Sequence, residues 1–320
     1  MSPPLRIVNA SEVDAVLGYA DLIGALRDAF RRHTTVPLRH HHTIPTGGRE
    51  ATLLLMPAWS VPDPAPAHVG VKVVTVYPDN DARNQPSVMG TYLLLDGSTG
   101  APVASIDGPA LTARRTAAAS ALAADYLARP DARRLLMVGT GRLAGNLIEA
   151  HAVARPIRQT VIWGRDQSKA DQLARRLDTN AHRVTATDDL ETAAREAHII
   201  SCATTSHDPL IQGEWLAEGV HVDLVGGFRP DMREADDRVI QRGRIFVDTR
   251  AGALAEAGDI VQPIGTGIFQ ADDIAGDLFD LCQGKQRGRQ SPAEITVFKS
   301  VGSALEDLAA AELLIAQVAS

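Results

Sequence analysis

From about residue 134 onward, short β-branched apolar runs alternate with longer amphipathic stretches, a pattern that predicts a parallel sheet covered by helices. The runs fall at residues 135–138, 160–163, 183–186, 198–202, 220–225 and 245–248. Six strands are the number a doubly wound sheet uses. Residues 168–177 carry apolar side chains at helical spacing, and residues 189–197 open with acids suited to a helix N-terminus. Each crossover therefore has room for one helix.

The first 120 residues read differently. A helix is predicted at 21–33, followed by strand-like segments at 51–56, 69–77 and 90–95. The turn Asp96-Gly97-Ser98-Thr99-Gly100 separates 92–95 from 101–106 and predicts a hairpin. An Ala-rich helix at 111–128 carries the chain toward the first parallel strand and stops at Arg129-Pro130-Asp131. A last helix at 301–317 is apolar over much of its surface and is expected to pack on the first unit or on a partner subunit. The expected organisation is an α+β unit over 1–120, a doubly wound α/β unit over 121–299, and a C-terminal helix over 300–320 that returns to the first.

Composition narrows the function. At 320 residues the chain exceeds one ordinary hydrophobic core, in keeping with two units. A formal charge of −7 offers no basic field to a nucleic acid, and the densest basic stretch, residues 284–289, reads as a solvated loop. The two cysteines, Cys202 and Cys282, make no disulfide framework and no metal-ligand spacing, so no metal is expected. Cys202 falls in a predicted buried strand and reads as an apolar filler. The N-terminus lacks the apolar run of a signal peptide, and no apolar run reaches the length needed to cross a bilayer. A cytoplasmic protein without membrane contact is expected.

The run Gly139-Thr140-Gly141-Arg142-Leu143-Ala144-Gly145 follows an apolar strand and opens a helix, the context a dinucleotide fingerprint requires. It makes the doubly wound unit a Rossmann candidate. Gly139 permits the tight turn, Gly141 lets backbone approach a pyrophosphate, and Ala144 keeps the helix close to the sheet. An NAD-selective site usually ends the next strand with a carboxylate for the ribose 2′-hydroxyl, but Gly164 stands there and Arg165 follows. A fixed guanidinium suits a 2′-phosphate, so NADPH is the expected cofactor, with NADH weaker. Thr204 and Thr205, just after a predicted strand, fall at the edge of the sheet where a cofactor cleft would lie.

Several segments together resemble the ornithine cyclodeaminase and mu-crystallin family over nearly the whole chain. They are Pro37-Leu38-Arg39, Leu55-Met56-Pro57-Ala58, residues 71–77, residues 111–118, the glycine turn, and Phe298-Lys299-Ser300-Val301-Gly302. The resemblance implies that Arg39, Lys72 and Arg115 hold a substrate carboxylate, with Met56 and Phe228 in the same pocket. It also implies that Thr116, Ala203, Thr204, Val225, Gly226 and Ser300 join the turn residues around the cofactor. Physics agrees for Lys72, which interrupts an apolar strand where a charge is costly unless an anion meets it. A homodimer formed through the first unit is likewise implied.

Members of that family differ in chemistry, and one position helps to choose between them. Cyclodeaminases and alanine dehydrogenases of the family carry an Asp after the fifth strand, where Phe228 stands here. The group that would serve deamination is missing, so reduction of a cyclic ketimine such as Δ1-pyrroline-2-carboxylate or Δ1-piperideine-2-carboxylate is the expected reaction. An ornithine cyclodeaminase or amino-acid dehydrogenase is the enzymatic alternative, and a ligand-binding protein like mu-crystallin the alternative of another kind. Asp231 with Glu234 reads as a capping box on the following helix. Of the run His40-His41-His42, only the first and last share a strand face; the run reads as structural or solvated, with His42 as a proton donor the alternative.

Overall fold

The computed structural model describes residues 5–61, 67–83 and 85–319. Two compact units emerge: residues up to Arg115 together with those from Ser303 onward, and Thr116–Gly302. The division thus falls inside the helix Gly108–Leu127 rather than at residue 120, and again after Gly302 rather than at 299.

In the first unit the strands are β1 (Arg6–Val8), β2 (Thr34–Thr35), β3 (His40–Ile44), β4 (Ala51–Ser60), β5 (His68–Val76), β6 (Val88–Asp96) and β7 (Pro102–Asp107). They form one sheet in the order β1-β7-β6-β5-β4-β2, with β3 also paired to β4. The hairpin of β6 and β7 is antiparallel as its turn sequence predicts, and Asp96 accepts from the N–H groups of Ser98 and Thr99. Residues opposite one another across antiparallel strands share a face, which puts Met56, Lys72 and Tyr92 in one row and Leu55, Val73 and Thr91 in the next. The first row is buried; the second is half-buried. The helices Tyr19–Arg31 and Ala304–Ala319 pack together and complete this unit's core with Leu22, Leu26, Phe30, Leu305 and Leu308.

The second unit carries β8 (Arg134–Val138), β9 (Gln159–Trp163), β10 (Arg183–Thr187), β11 (Ile199–Cys202), β12 (His221–Leu224), β13 (Arg244–Val247), β14 (Gly276–Asp277) and β15 (Thr296–Lys299). All neighbours run parallel, in the order β10-β9-β8-β11-β12-β15-β13-β14. This is the expected doubly wound α/β sheet, but with eight strands instead of six. The two extra strands are β14, of only two residues, and β15, four buried residues that end on a lysine. The order reverses between β8 and β11, which makes their carboxyl ends the switch point where ligands bind in such sheets.

Two further expectations are corrected in this unit. Residues 284–287 are exposed as expected for a solvated loop, but Arg289 at its end is half-buried and donates to the carbonyls of Leu127 and Val220 and to the Thr296 hydroxyl. Asp231 caps no helix; the next helix, Asp237–Arg242, is capped by Asp236, and Asp231 pairs at the surface with Arg229. Cys202 is buried, and burial pushes its thiol well above its ordinary value, in line with a filler role.

Candidate functional site

Gly139 leaves β8 with a φ of 117°, a conformation side chains resist, and a Cβ there would meet the Ala203 carbonyl at 2.6 Å. Gly141 N-caps the helix Arg142–Ala154, and a Cβ on it would meet nothing within 4 Å. The turn is therefore tight against β11 on one side and open on the other, the clearance that a pyrophosphate at a helix N-terminus needs. Ala144 is buried, so the helix sits directly on its neighbours.

A cavity of about 480 Å³ opens on this turn. Its lining includes Gly139, Thr140 and Gly141 from the turn, Gly164 and Arg165 after β9, and Ala203 to Ser206 after β11. A Cβ on Gly164 would press on the Thr140 methyl at 2.6 Å, so a larger residue there needs the Thr140 side chain to shift. Asp166, next to Arg165, caps the helix Gln167–Leu177 by accepting from the Lys169 N–H. Lys169, which sequence reasoning missed, lines the cavity beside Arg165, so two cations stand there. It lies one helical turn past the acid, a spacing that reads on its own as an ordinary surface pair.

The remaining expected cofactor residues divide. Arg142 is exposed and Leu143 half-buried on the first turn of their helix, while Thr116 and Val225 are buried. Gly226 approaches the Thr204 carbonyl so closely that a Cβ would lie 2.1 Å from it. Ser300 is buried and donates to Asp248 at 3.3 Å, and Asp248 also accepts from the N–H groups of Val301 and Gly302. Phe228 is 46% exposed on the loop after β12.

The first unit holds a buried charge cluster. Lys72 pairs with Asp307 at 2.8 Å, and Arg115 spans Asp307 at 2.9 Å and Glu306 at 2.7 Å. The anion that Lys72 requires is thus supplied by the chain itself, from the helix Ala304–Ala319. Burial pulls the Lys72 ammonium down to about 8 against the attraction of Asp307, and Arg115 and Arg39 push it the same way. For Arg115 burial acts in the opposite direction to the outcome: Asp307 and Glu306 hold its guanidinium above its ordinary value. Burial likewise works against Asp307, whose carboxyl the charges of Arg115 and Lys72 keep below the usual range.

With Arg39 half-buried and close enough to act on Lys72, three cations meet two carboxylates. Glu306 and Asp307 were missed because an acidic pair in the first turn of a helix ordinarily signals only its N-terminus. Met56 is buried in the row of Lys72, whereas His40, His41 and His42 are exposed on β3. Among the described residues no group of three or more His, Cys, Asp or Glu is set to hold a metal, and no helix is long and apolar enough to cross a membrane.

A glycine turn at the switch point of a doubly wound parallel sheet, with a separate unit bearing a buried cation cluster, defines an oxidoreductase of the Rossmann class. The chain belongs to the ornithine cyclodeaminase/mu-crystallin family, which matches residues 6–320. It is 44% identical over 325 residues to an uncharacterized protein of Schizosaccharomyces pombe, covering 98% of this chain and 97% of the relative. It is 38% identical over 308 residues to the Delta(1)-pyrroline-2-carboxylate reductase of Paracoccus denitrificans, covering 94% and 96%. Among solved structures, the Thermococcus litoralis Delta(1)-pyrroline-2-carboxylate reductase in complex with NADH and L-proline superposes with a TM-score of 0.91 at 30% identity, over 98% of each chain. An archaeal alanine dehydrogenase dimer with bound NAD follows at 0.89 and 25%, over 98% of this chain and 96% of that one.

Proposed function

We propose that this enzyme is an NADPH-dependent ketimine reductase that converts Δ1-pyrroline-2-carboxylate to L-proline and Δ1-piperideine-2-carboxylate to L-pipecolate. The observation that carries the reading is Phe228: an apolar ring stands after β12, where the deaminating members of the family place an acid. Likeness over nearly the whole chain to reductases of the smaller ring supports it, as does a relative's complex with L-proline.

Arg39, Lys72 and Arg115 hold the carboxylate, and Asp307 and Glu306 keep the buried pair oriented. The bound dihydronicotinamide supplies a hydride to C2 of the ring, and a proton completes the ring nitrogen. Because the substrate already contains its carbon–nitrogen double bond, the chain needs no base to remove a proton from an amine. The glycine turn and the helix Arg142–Ala154 take the pyrophosphate, and Arg165 with Lys169 take a 2′-phosphate, which favours NADPH over NADH. We assign a homodimer to the first unit, whose row of Leu55 and Val73 is only half-buried within one chain.

The test is the rate of NADPH loss with freshly made Δ1-pyrroline-2-carboxylate, beside the same assay with NADH. Fast turnover with the lower KM for NADPH is expected. Ammonia release from L-ornithine or L-alanine with NAD+, without imine reduction, would replace this reading with a deaminating one. Tight dinucleotide binding without turnover of either kind would favour a ligand-binding role.

A further inference from the structure

Glu234 is fully buried in the second unit, and no step described above uses it. Its Oε1 accepts from both the N–H and the hydroxyl of Thr204, at 2.7 and 2.8 Å, and its Oε2 accepts from the Gly226 N–H at 2.7 Å. One carboxylate therefore ties the turn after β11 to the turn after β12. Thr204 lines the dinucleotide cavity with Ala203, Thr205 and Ser206. Gly226 has no room for a side chain, because a Cβ would lie 2.3 Å from Glu234 Oε1. The backbone of Glu234 is itself anchored: its N–H donates to Asp259 at 2.8 Å, and Asp259 pairs with the buried Lys299 at 3.1 Å.

We infer that Glu234 is a positioning residue for cofactor binding, its carboxylate setting the turn after β11 in the form that receives the dinucleotide. The inference rests on the dinucleotide reading above. Three N–H and O–H donors converge on one group, and only the ionised form accepts from all of them while donating to none. Burial, reinforced by Asp259 and opposed by Lys299, pushes the Glu234 carboxyl up to about 7. The groups facing it are Lys299 of β15, Asp259 of the helix Gly258–Gly265 and the thiol of Cys202 on β11. Acidification through neutrality therefore loosens the clamp.

Binding of NADH, followed by its own fluorescence across the range from about pH 6 to about pH 8, reads this directly. NADH is chosen because it lacks the 2′-phosphate of NADPH, which titrates in the same range. Affinity of the native enzyme should fall by up to about tenfold toward the acid end. Glu234→Gln should bind more weakly and with a flat profile, since its amide nitrogen meets the Gly226 N–H donor to donor. Thr204→Val removes one bond to the ionised form and should move the midpoint upward, a change that mere structural support would not produce; it decides the matter even if Glu234→Gln does not fold. A flat native profile, or an unmoved midpoint in Thr204→Val, overturns the inference and leaves the dinucleotide reading standing. Absence of NADH and NADPH binding at every pH removes both.

Discussion

Lys72 carries the pH dependence of the proposed substrate site. Its proton is needed to face a carboxylate, and burial brings its loss down to about pH 8. The inhibition constant of a fixed-charge ring acid such as pyrrole-2-carboxylate should therefore rise as pH increases through about 8, and Lys72→Met should bind weakly with no such inflection. The sign for stability is opposite. The folded value lies below the unfolded 10.5, so between the two the unfolded chain holds the extra proton and this group's contribution to stability grows with pH. Arg115 has a different exposure to mutation, because its removal takes a buried guanidinium from both Glu306 and Asp307 and leaves Asp307 its pair with Lys72. Arg115→Ala should lose about 3–5 kcal/mol in urea unfolding, beyond its effect on KM. A loss within experimental error of zero would show that the pairs do not form in solution.

At the scale of elements, the glycine turn between β8 and the helix Arg142–Ala154 is the part most constrained by geometry. Gly139→Ala imposes a Cβ on a left-handed backbone against the Ala203 carbonyl, and should cost about 1–3 kcal/mol of stability along with most of the dinucleotide affinity. Native melting and binding in that variant would contradict the described turn. This turn was legible in the sequence because strand, glycines and helix are contiguous, so local chemistry determines it. Strand β15 was not legible: Lys299 reads as a surface residue until Asp259, forty positions earlier, is known to neutralise it. The acid partners of Lys72 and Arg115 were hidden for the same reason, as were the true roles of Asp231 and Glu234. Their spacing fits a capping box, and only the approach of Thr204 and Gly226 turns Glu234 inward. Periodicity records which residues are buried on an element; it carries no information about partners brought in from distant ones.

At the scale of the whole molecule, the proposed roles divide between the units: the cofactor on the second, the substrate carboxylate on the first, and assembly at the half-buried face of the first unit's sheet. Val73→Glu places a charge in the row of Leu55 and Thr91 and should shift the mass measured by light scattering from dimer to monomer. Monomer in the native protein at working concentration would refute the assembly. The central claim is a hydride passed to C2 of a cyclic imino acid, and the most direct measurement of it follows the hydrogen itself. Purified enzyme is supplied with Δ1-pyrroline-2-carboxylate and NADPH deuterated at C4 of the nicotinamide, on each face in turn, and the product is analysed by mass spectrometry. L-proline bearing deuterium at Cα is expected from one of the two cofactors. No proline, or proline unlabelled from both, would contradict it.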